Sequence, residues 1–196
     1  MYNALTTKHR VPATFRMIYE TLLPRLYQSS AHIDAVRANF AQSIARFTAE
    51  KPQIDIGMLS NYPMFEMAFH NRDNKELIAS YSRMLRLIAP SLNYVAPHCK
   101  LALAKRDGPI RIGFLSAHMH NHSVGNSYRT LMLHLAAQPE FSVTFFNLSN
   151  VMDEKIQQLI HAGLPIVSLP KNITAAHETV AQHTLDILIY PDIGMD

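Results

Sequence analysis

Three histidines at alternate positions are the residues of this sequence best suited to chemistry. His118, His120 and His122 lie between an apolar run and a helical pattern, within PIRIGFLSAHMHNHSVGNSYRTLMLHL (residues 109–135). In an extended loop all three side chains would project to one side, as metal ligands do. Imidazole also transfers protons and contacts phosphates near neutral pH. The spacing leaves three interpretations open: a metal site, a proton-transfer or phosphate-contacting site, and polar residues that cap a helix and fill a loop.

The neighbouring residues favour a proton-transfer or phosphate-contacting role for His122 over a metal centre. No fitting carboxylate stands nearby to complete a closed zinc ligand set, although Asp192 could approach across the carboxyl edge of a sheet. Asn121 and Ser123 flank His122, and Ser123 is a predicted N-cap of the helix that follows. His122 would then lie beside a helix N-terminus, which favours anions. We therefore predict that His122 transfers a proton or contacts a diphosphate.

Several common catalytic and cofactor motifs are missing after the apolar run. Gly113 and Gly125 do not form the G-x-G-x-x-G pattern, so a dinucleotide cofactor is disfavoured. The sequence also lacks a G-x-S-x-G elbow, a P-loop and an H-E-x-x-H zinc motif.

The second half of the chain alternates between strand and helix patterns, which predicts a parallel α/β sheet of the order βαβαβαβ. Such sheets bind ligands at the carboxyl ends of their strands. No covering helix follows Gly194, so we expect a longer protein or a partner to complete the fold. Strands are predicted at 110–116, 141–148, 164–169 and 185–190, with helices from about 124, at 153–162 (C-cap Gly163) and at 174–183.

The first half reads as helices without a site of its own. A helix over 13–27 is expected to kink or end at Pro24, Ser30 is a predicted N-cap, and Asp73 with Glu76 resembles a capping box. The apolar residues at helical spacing are predicted to form core; they include Phe15, Ile18, Leu22, Leu26, Phe40, Ile44, Phe47, Leu77, Tyr81, Met84, Leu85 and Ile88. The predicted organisation is a helical region (1–92), a linker (93–108) and an incomplete Rossmann-like domain (109–196).

Composition narrows the class of protein. The 196 residues are 48% hydrophobic, and a net charge of +3 without a long run of like charges does not predict a nucleic-acid surface. Cys99 is the single cysteine, so no intramolecular disulfide can form and a cytoplasmic location is the expectation. No signal segment and no run of 18 apolar residues occurs, which predicts no membrane span.

Three stretches in order resemble the O-GlcNAc transferase/SPINDLY glycosyltransferase family. RIGFLSAHMHNHSVGN is similar to the opening strand and loop of the family's catalytic region, which leads to an Asn-His pair. LDILIYPDIGMD resembles its D-I-L-V-D-L-x-G segment, and FEMAFHNRDNKELIASYSRMLRLIAPSL resembles the helical lead-in of bacterial members. The resemblance covers most of the chain from about Phe15 onward.

The resemblance implies an inverting glycosyltransferase of the GT-B arrangement, with two Rossmann-like domains and no metal. The donor would be a UDP-sugar, with UDP-GlcNAc as the first expectation. The acceptor would be a protein Ser or Thr hydroxyl, or an Asn side chain as in one bacterial branch. The second domain, which holds most UDP contacts in the family, is absent from this sequence, so the chain is expected to form the acceptor-side wall of the cleft and to be inactive alone.

Carried over by motif, Asn121 and His122 match the family's Asn-His pair, with His122 as the expected catalytic residue. Gly194 matches the glycine after the last strand, whereas Met195 and Asp196 depart from the family's Gly-His-Thr ending, so no second histidine is assigned there. The expected substrate-binding residues are Asn121, His118, Ser123, Gly125, Asp192 and Gly194. Two alternatives stay open: a metal-dependent hydrolase built on the three histidines, and a non-catalytic interaction module.

Overall fold

The described residues of the first half form helices and turns without a strand, and those of the second half alternate between helices and parallel strands. The computed structural model describes residues 11–58, 64–100 and 107–192. The chain divides into two compact units, Met1–Tyr94 and Val95–Asp196.

In the helical unit, α2 packs against both α1 and α4. The predicted core positions of α2 and α4 that are buried are Phe40, Ile44, Phe47, Tyr81, Met84, Leu85 and Ile88. These positions recur every three or four residues, so one stripe of each helix is removed from water. The helices are α1 (Ala13–Thr21), α2 (Ser30–Glu50), α3 (Met64–Met67) and α4 (Lys75–Ile88), with 3₁₀ turns at Ile56–Met58, Ala68–His70 and Pro90–Asn93.

The prediction for the first helix was wrong in its length and in its buried face. The helix ends at Thr21, and the chain is already extended at Leu22, before Pro24. Met17 and Thr21 are buried, whereas Phe15 is 52% and Leu26 87% exposed. A helix of nine residues has only two and a half turns, so the residues beyond it no longer share its periodicity.

Two predicted helix caps were also displaced. Ser29, not Ser30, caps α2: its backbone is extended and its hydroxyl accepts a hydrogen bond from the amide of His32 at 3.1 Å. Asn74 occupies the N-cap position of α4 without a side-chain cap bond, and the Asp73 carboxylate accepts from the amide of Lys75 at 2.9 Å. In both cases the predicted residue is of a type that caps helices, but the backbone places the adjacent residue at the N-cap position.

The α/β unit has a sheet of four parallel strands in the order β3-β2-β1-β4. β1 pairs with β2 from Ile110 opposite Phe141 to Ser116 opposite Asn147, and with β4 on its other side. The elements are β1 (Ile110–Ser116), α5 (Ser123–Ala136), β2 (Phe141–Asn147), α6 (Glu154–His161), β3 (Ile166–Ser168), α7 (Ile173–Gln182) and β4 (Ile187–Ile189), preceded by a 3₁₀ turn at Pro97–Lys100.

The predicted α/β class with a parallel sheet is confirmed. The core lies around β1 and β2, where Phe114 and Phe145 are fully buried and Met132 of α5 covers them. Gly163 follows α6 with φ +80°, the left-handed conformation that glycine adopts without a steric penalty. Ile187 of the outer strand β4 remains 45% exposed.

The strand order reverses between β1 and β4, so these two strands form the topological switch point of the sheet. The chain leaves β1 for β2 on one side and returns from β3 to β4 on the other. Open parallel sheets bind ligands at such switch points. Of the described helices, none has the length and apolar character needed to cross a membrane.

Candidate functional site

The loop after β1 gathers the three predicted histidines at the carboxyl edge of the sheet. The ring centroids of His118 and His122 are 4.7 Å apart, and the His120 centroid lies 5.9 Å from the first and 5.8 Å from the second. Between them in sequence, Met119 is 1% exposed and packs in the core. Burial of Met119 places the neighbouring histidines on the opposite side of the chain, in a group that we call the histidine cluster (His118, His120 and His122).

His122 is the N-cap of α5, which corrects the prediction that Ser123 caps this helix. The backbone of His122 is extended, with φ −142° and ψ 160°, and its ring Nδ1 accepts a hydrogen bond from the amide of Val124 at 3.3 Å. Ser123 is already the first helical residue and is exposed. Histidine is not a preferred N-cap residue, but its Nδ1 supplies the acceptor that the first turn requires.

The cap fixes the tautomer of His122. Nδ1 must keep its lone pair in order to accept from Val124, so in the neutral ring the proton is on Nε2. The amide of Asn126 donates to the His122 carbonyl at 2.9 Å and the amide of Gly125 to that of His118 at 3.1 Å. Because these bonds already occupy amides of the first turn, those amides are not available to a ligand. The ring of His122 can offer a ligand the hydrogen on Nε2.

A buried hydrogen bond joins the carboxyl ends of β1 and β4 beneath the histidine cluster. The Ser116 hydroxyl donates to Oδ2 of Asp192 at 2.9 Å and accepts from the amide of His118 at 2.9 Å. Ser116 is fully buried and Asp192 is 3% exposed. Asp192 thus reaches the edge of the sheet where the loop begins, and Ser116 connects Asp192 to the His118 amide of the loop.

Asp153 ties the loop to the next helix. Its Oδ2 accepts from the amide of Asn121 at 2.7 Å, and its Oδ1 accepts from Lys155 and Ile156 at the start of α6. Burial would raise the pKa of this carboxyl, but the three amide donors and the nearby His120 outweigh it and leave the pKa below its ordinary value. Asp153 is therefore held as an anion facing the loop.

The structure brings most of the predicted site residues together. Asn121 and Ser123 are exposed beside His122, and Gly125 is buried against the loop. Gly194 lies outside the described residues. Ser116, Arg129 and Asp153 were missed, because each acts through hydrogen bonds to backbone groups or to a residue distant in sequence, and no motif or periodicity records such contacts.

Within the described ranges, no three His, Cys, Asp or Glu side chains are grouped so that they could hold an ion. The ring of His122 is also committed through Nδ1 to the helix cap. What the arrangement offers is a set of imidazole groups at a sheet edge, next to the switch point between β1 and β4.

The sequence matches no protein-family model, and neither a curated protein nor a solved structure matches the chain.

Proposed function

We propose that this chain forms the acceptor-side wall of the cleft in an inverting, UDP-sugar-dependent protein glycosyltransferase. The observation that carries the proposal is the convergence of the three imidazole rings at the carboxyl edge of a parallel sheet, at the switch point between β1 and β4. The order of the RIGFLSAHMHNHSVGN and LDILIYPDIGMD stretches supports it, since they supply the loop after β1 and the end of β4.

The reaction requires positioning and charge stabilisation more than covalent chemistry by the protein. An acceptor oxygen or amide nitrogen of a protein attacks the anomeric carbon from behind, and the bond from that carbon to the diphosphate breaks. Negative charge accumulates on the leaving UDP, and fixed donors at that position lower the barrier. A second, UDP-binding domain completes the cleft in this proposal, and no metal takes part.

Within this proposal His122 serves as a donor to the leaving diphosphate rather than as a base. A general base needs a lone pair directed at the acceptor proton. Nδ1 of His122 is occupied by the Val124 amide, and Nε2 carries the hydrogen. The proton of the acceptor therefore passes to an oxygen of the departing diphosphate, while the Nε2 hydrogen of His122 contacts another phosphate oxygen.

Two substitutions at His122 separate the cap from the chemistry. Asparagine is among the best N-cap residues, so His122→Asn keeps the helix cap and removes the Nε2 donor; His122→Ala removes both. We expect both variants of the full-length protein to transfer sugar roughly 100-fold more slowly or worse, the usual cost of losing a donor to developing charge. Only the alanine variant should lose stability, by about 1 kcal/mol.

The measurement is transfer of labelled N-acetylglucosamine from UDP-GlcNAc to acceptor protein, with UDP-glucose as a parallel donor, together with urea unfolding. His134→Asn is the matched control, because His134 is an exposed histidine in the last turn of the same helix. Wild-type rates in the His122→Asn protein would refute the donor role. Absence of transfer from either donor by the wild-type full-length protein would refute the proposed function itself.

A further inference from the structure

Arg129, on the second turn of α5, reaches back over the loop that carries the histidine cluster. Its Nη1 donates to the carbonyls of Met119 at 2.9 Å and His120 at 2.7 Å. Its Nη2 donates to the side-chain oxygen of Asn126 on the same helix. One guanidinium thus holds two consecutive peptide groups of the loop and is itself braced by the helix.

Gly125 provides the space for this contact. A Cβ at this position would lie 2.3 Å from Nη1 of Arg129, 2.5 Å from the His120 carbonyl and 2.6 Å from the Met119 carbonyl. Side chains do not approach backbone oxygens so closely, so any residue other than glycine would push the loop and the guanidinium away from the helix. Glycine at 125 and arginine at 129 therefore act together on the same two carbonyls.

The two carbonyls belong to the part of the loop that determines where the rings point. The Met119 side chain is held in the core, and the His120 carbonyl also accepts a hydrogen bond from the His122 amide at 2.7 Å. Without Arg129, the loop would keep its anchor at Met119 but lose the charge-assisted bonds that fix the following peptides. The positions of His120 and His122 would then vary.

We infer that Arg129 is a positioning residue, which orders residues 119–122 and thereby holds His120 and His122 in the histidine cluster. Its effect on catalysis rests on the proposed function, but its effect on the loop does not. A planar guanidinium suits this task because its donors have a fixed geometry, whereas a lysine ammonium is a single point that can serve one carbonyl at a time.

Hydrogen exchange of the loop amides tests the inference without any substrate. In Arg129→Met we expect the amide of His122 to exchange about tenfold faster or more, because its acceptor, the His120 carbonyl, belongs to the released part of the loop. The strand amides of Phe114 and Phe145 should keep their protection. Unchanged exchange at His122 in a folded variant would overturn the inference.

Arg111→Met is the matched control. Arg111 lies in β1 and pairs with Asp186 at 3.3 Å, so this substitution removes the same charge from the same unit without touching the loop. Its loop amides should exchange as in the wild type. Faster exchange there as well would mean that any loss of an arginine loosens the unit, which would count against a specific role for Arg129.

Arg129→Lys decides the question if the methionine variant loses strand protection. In Arg129→Lys, a loop exchange rate between that of the wild type and that of an unprotected loop supports the positioning role. A loop exchange rate equal to that of the wild type contradicts it. In the full-length protein, Arg129→Met should also lower kcat about tenfold with little change in KM, as expected for misplaced catalytic groups. If the wild type transfers no sugar, the proposed function fails, while the exchange data still judge the role of Arg129.

Discussion

Ser116 and Asp192 form a buried pair in which a single hydroxyl satisfies two partners. The hydroxyl donates to the carboxylate and accepts from the His118 amide, both at 2.9 Å. Burial makes each of these groups costly to leave unpaired, since water cannot replace the lost bond without entering the core. The pair therefore contributes to stability and also sets where the loop departs from β1.

Removing the hydroxyl should destabilise the protein by about 1–3 kcal/mol, the usual cost of leaving a buried polar group without its partner. We predict this for Ser116→Ala, with the loss measured as the free energy of unfolding in urea. Ser142→Ala is the control, because Ser142 is an exposed serine on the neighbouring strand β2. Equal stability of the two variants would show that the Ser116 hydroxyl is not needed by Asp192.

At the residue scale, the sequence predicted which side chains gather but not how they are held. Alternation of His118, His120 and His122 indicated a common side, and burial of Met119 produces it. The N-cap was assigned to Ser123 from residue preference, yet the extended backbone of His122 decided it. Arg129 and Asp153 bond mainly to backbone groups, which leaves no trace in residue type or spacing.

At the scale of elements, the loop and the first turn of α5 behave as one piece. The amide of Gly125 donates to the His118 carbonyl at 3.1 Å, and the backbone at 125 lies close to two further loop carbonyls. The helix therefore cannot shift without carrying the loop with it. A substitution that separates the two should be visible both as a loss of stability and as a change in the histidine rings.

Gly125→Ala should cause this separation. The added methyl group would meet backbone oxygens at 2.5 and 2.6 Å, and overpacking of this kind costs roughly 1–3 kcal/mol even though alanine favours helix more than glycine does. Urea unfolding measures the cost, and the ¹⁵N shifts of the three imidazoles report the cluster. Ser127→Ala, an exposed change two residues further on, should leave both unchanged. A stabilised Gly125→Ala protein would mean that the close approach does not exist.

The elements themselves were predicted well where burial and pairing coincide. β1 has the predicted bounds, because its central residues are buried, the whole strand pairs with β2, and residues 112–114 also pair with β4. β3 is shorter than the predicted run of 164–169: Leu164 and Leu169 are buried, but the Leu164 amide bonds to the carbonyl of Leu159 instead of to a strand. Hydrophobic pattern reports burial, and hydrogen-bond pairing ends before burial does.

At the scale of the whole molecule, each of the two units has its own core, and the core of the helical unit contains a buried histidine. In the helical unit, His70 is fully buried, with Nε2 2.6 Å from the Tyr27 hydroxyl and Nδ1 3.3 Å from Nη1 of Arg37. Arginine can only donate, so Nδ1 accepts and the proton of the neutral ring lies on Nε2. Burial, followed by the charges of Arg37 and Arg72, lowers the pKa of His70 below its ordinary 6.5.

This arrangement makes the helical unit sensitive to mild acid. Because the folded-state pKa is depressed, the unfolded chain binds the proton more readily, and stability falls as pH drops below about 6.5 toward the lower folded value. One such group contributes at most about 1.4 kcal/mol per pH unit to the slope of the unfolding free energy against pH. The pKa values of Asp153 and Asp186 are also lowered, from 3.8, so their contributions are lost only in stronger acid.

His70→Gln should remove most of this slope from the helical unit, since glutamine can accept from Arg37 and donate to Tyr27 but does not titrate. The measurement is the exchange of the Tyr81 and Met84 amides, corrected for the intrinsic rate, between about pH 7.5 and 5.5.

Burial also lowers the pKa of His177, which belongs to the α/β unit, so His177→Gln serves as the control. It should flatten the response of Phe114 and Phe145 and leave Tyr81 and Met84 as in the wild type. An identical pH slope at Tyr81 and Met84 in wild type and His70→Gln would rule His70 out as the group responsible.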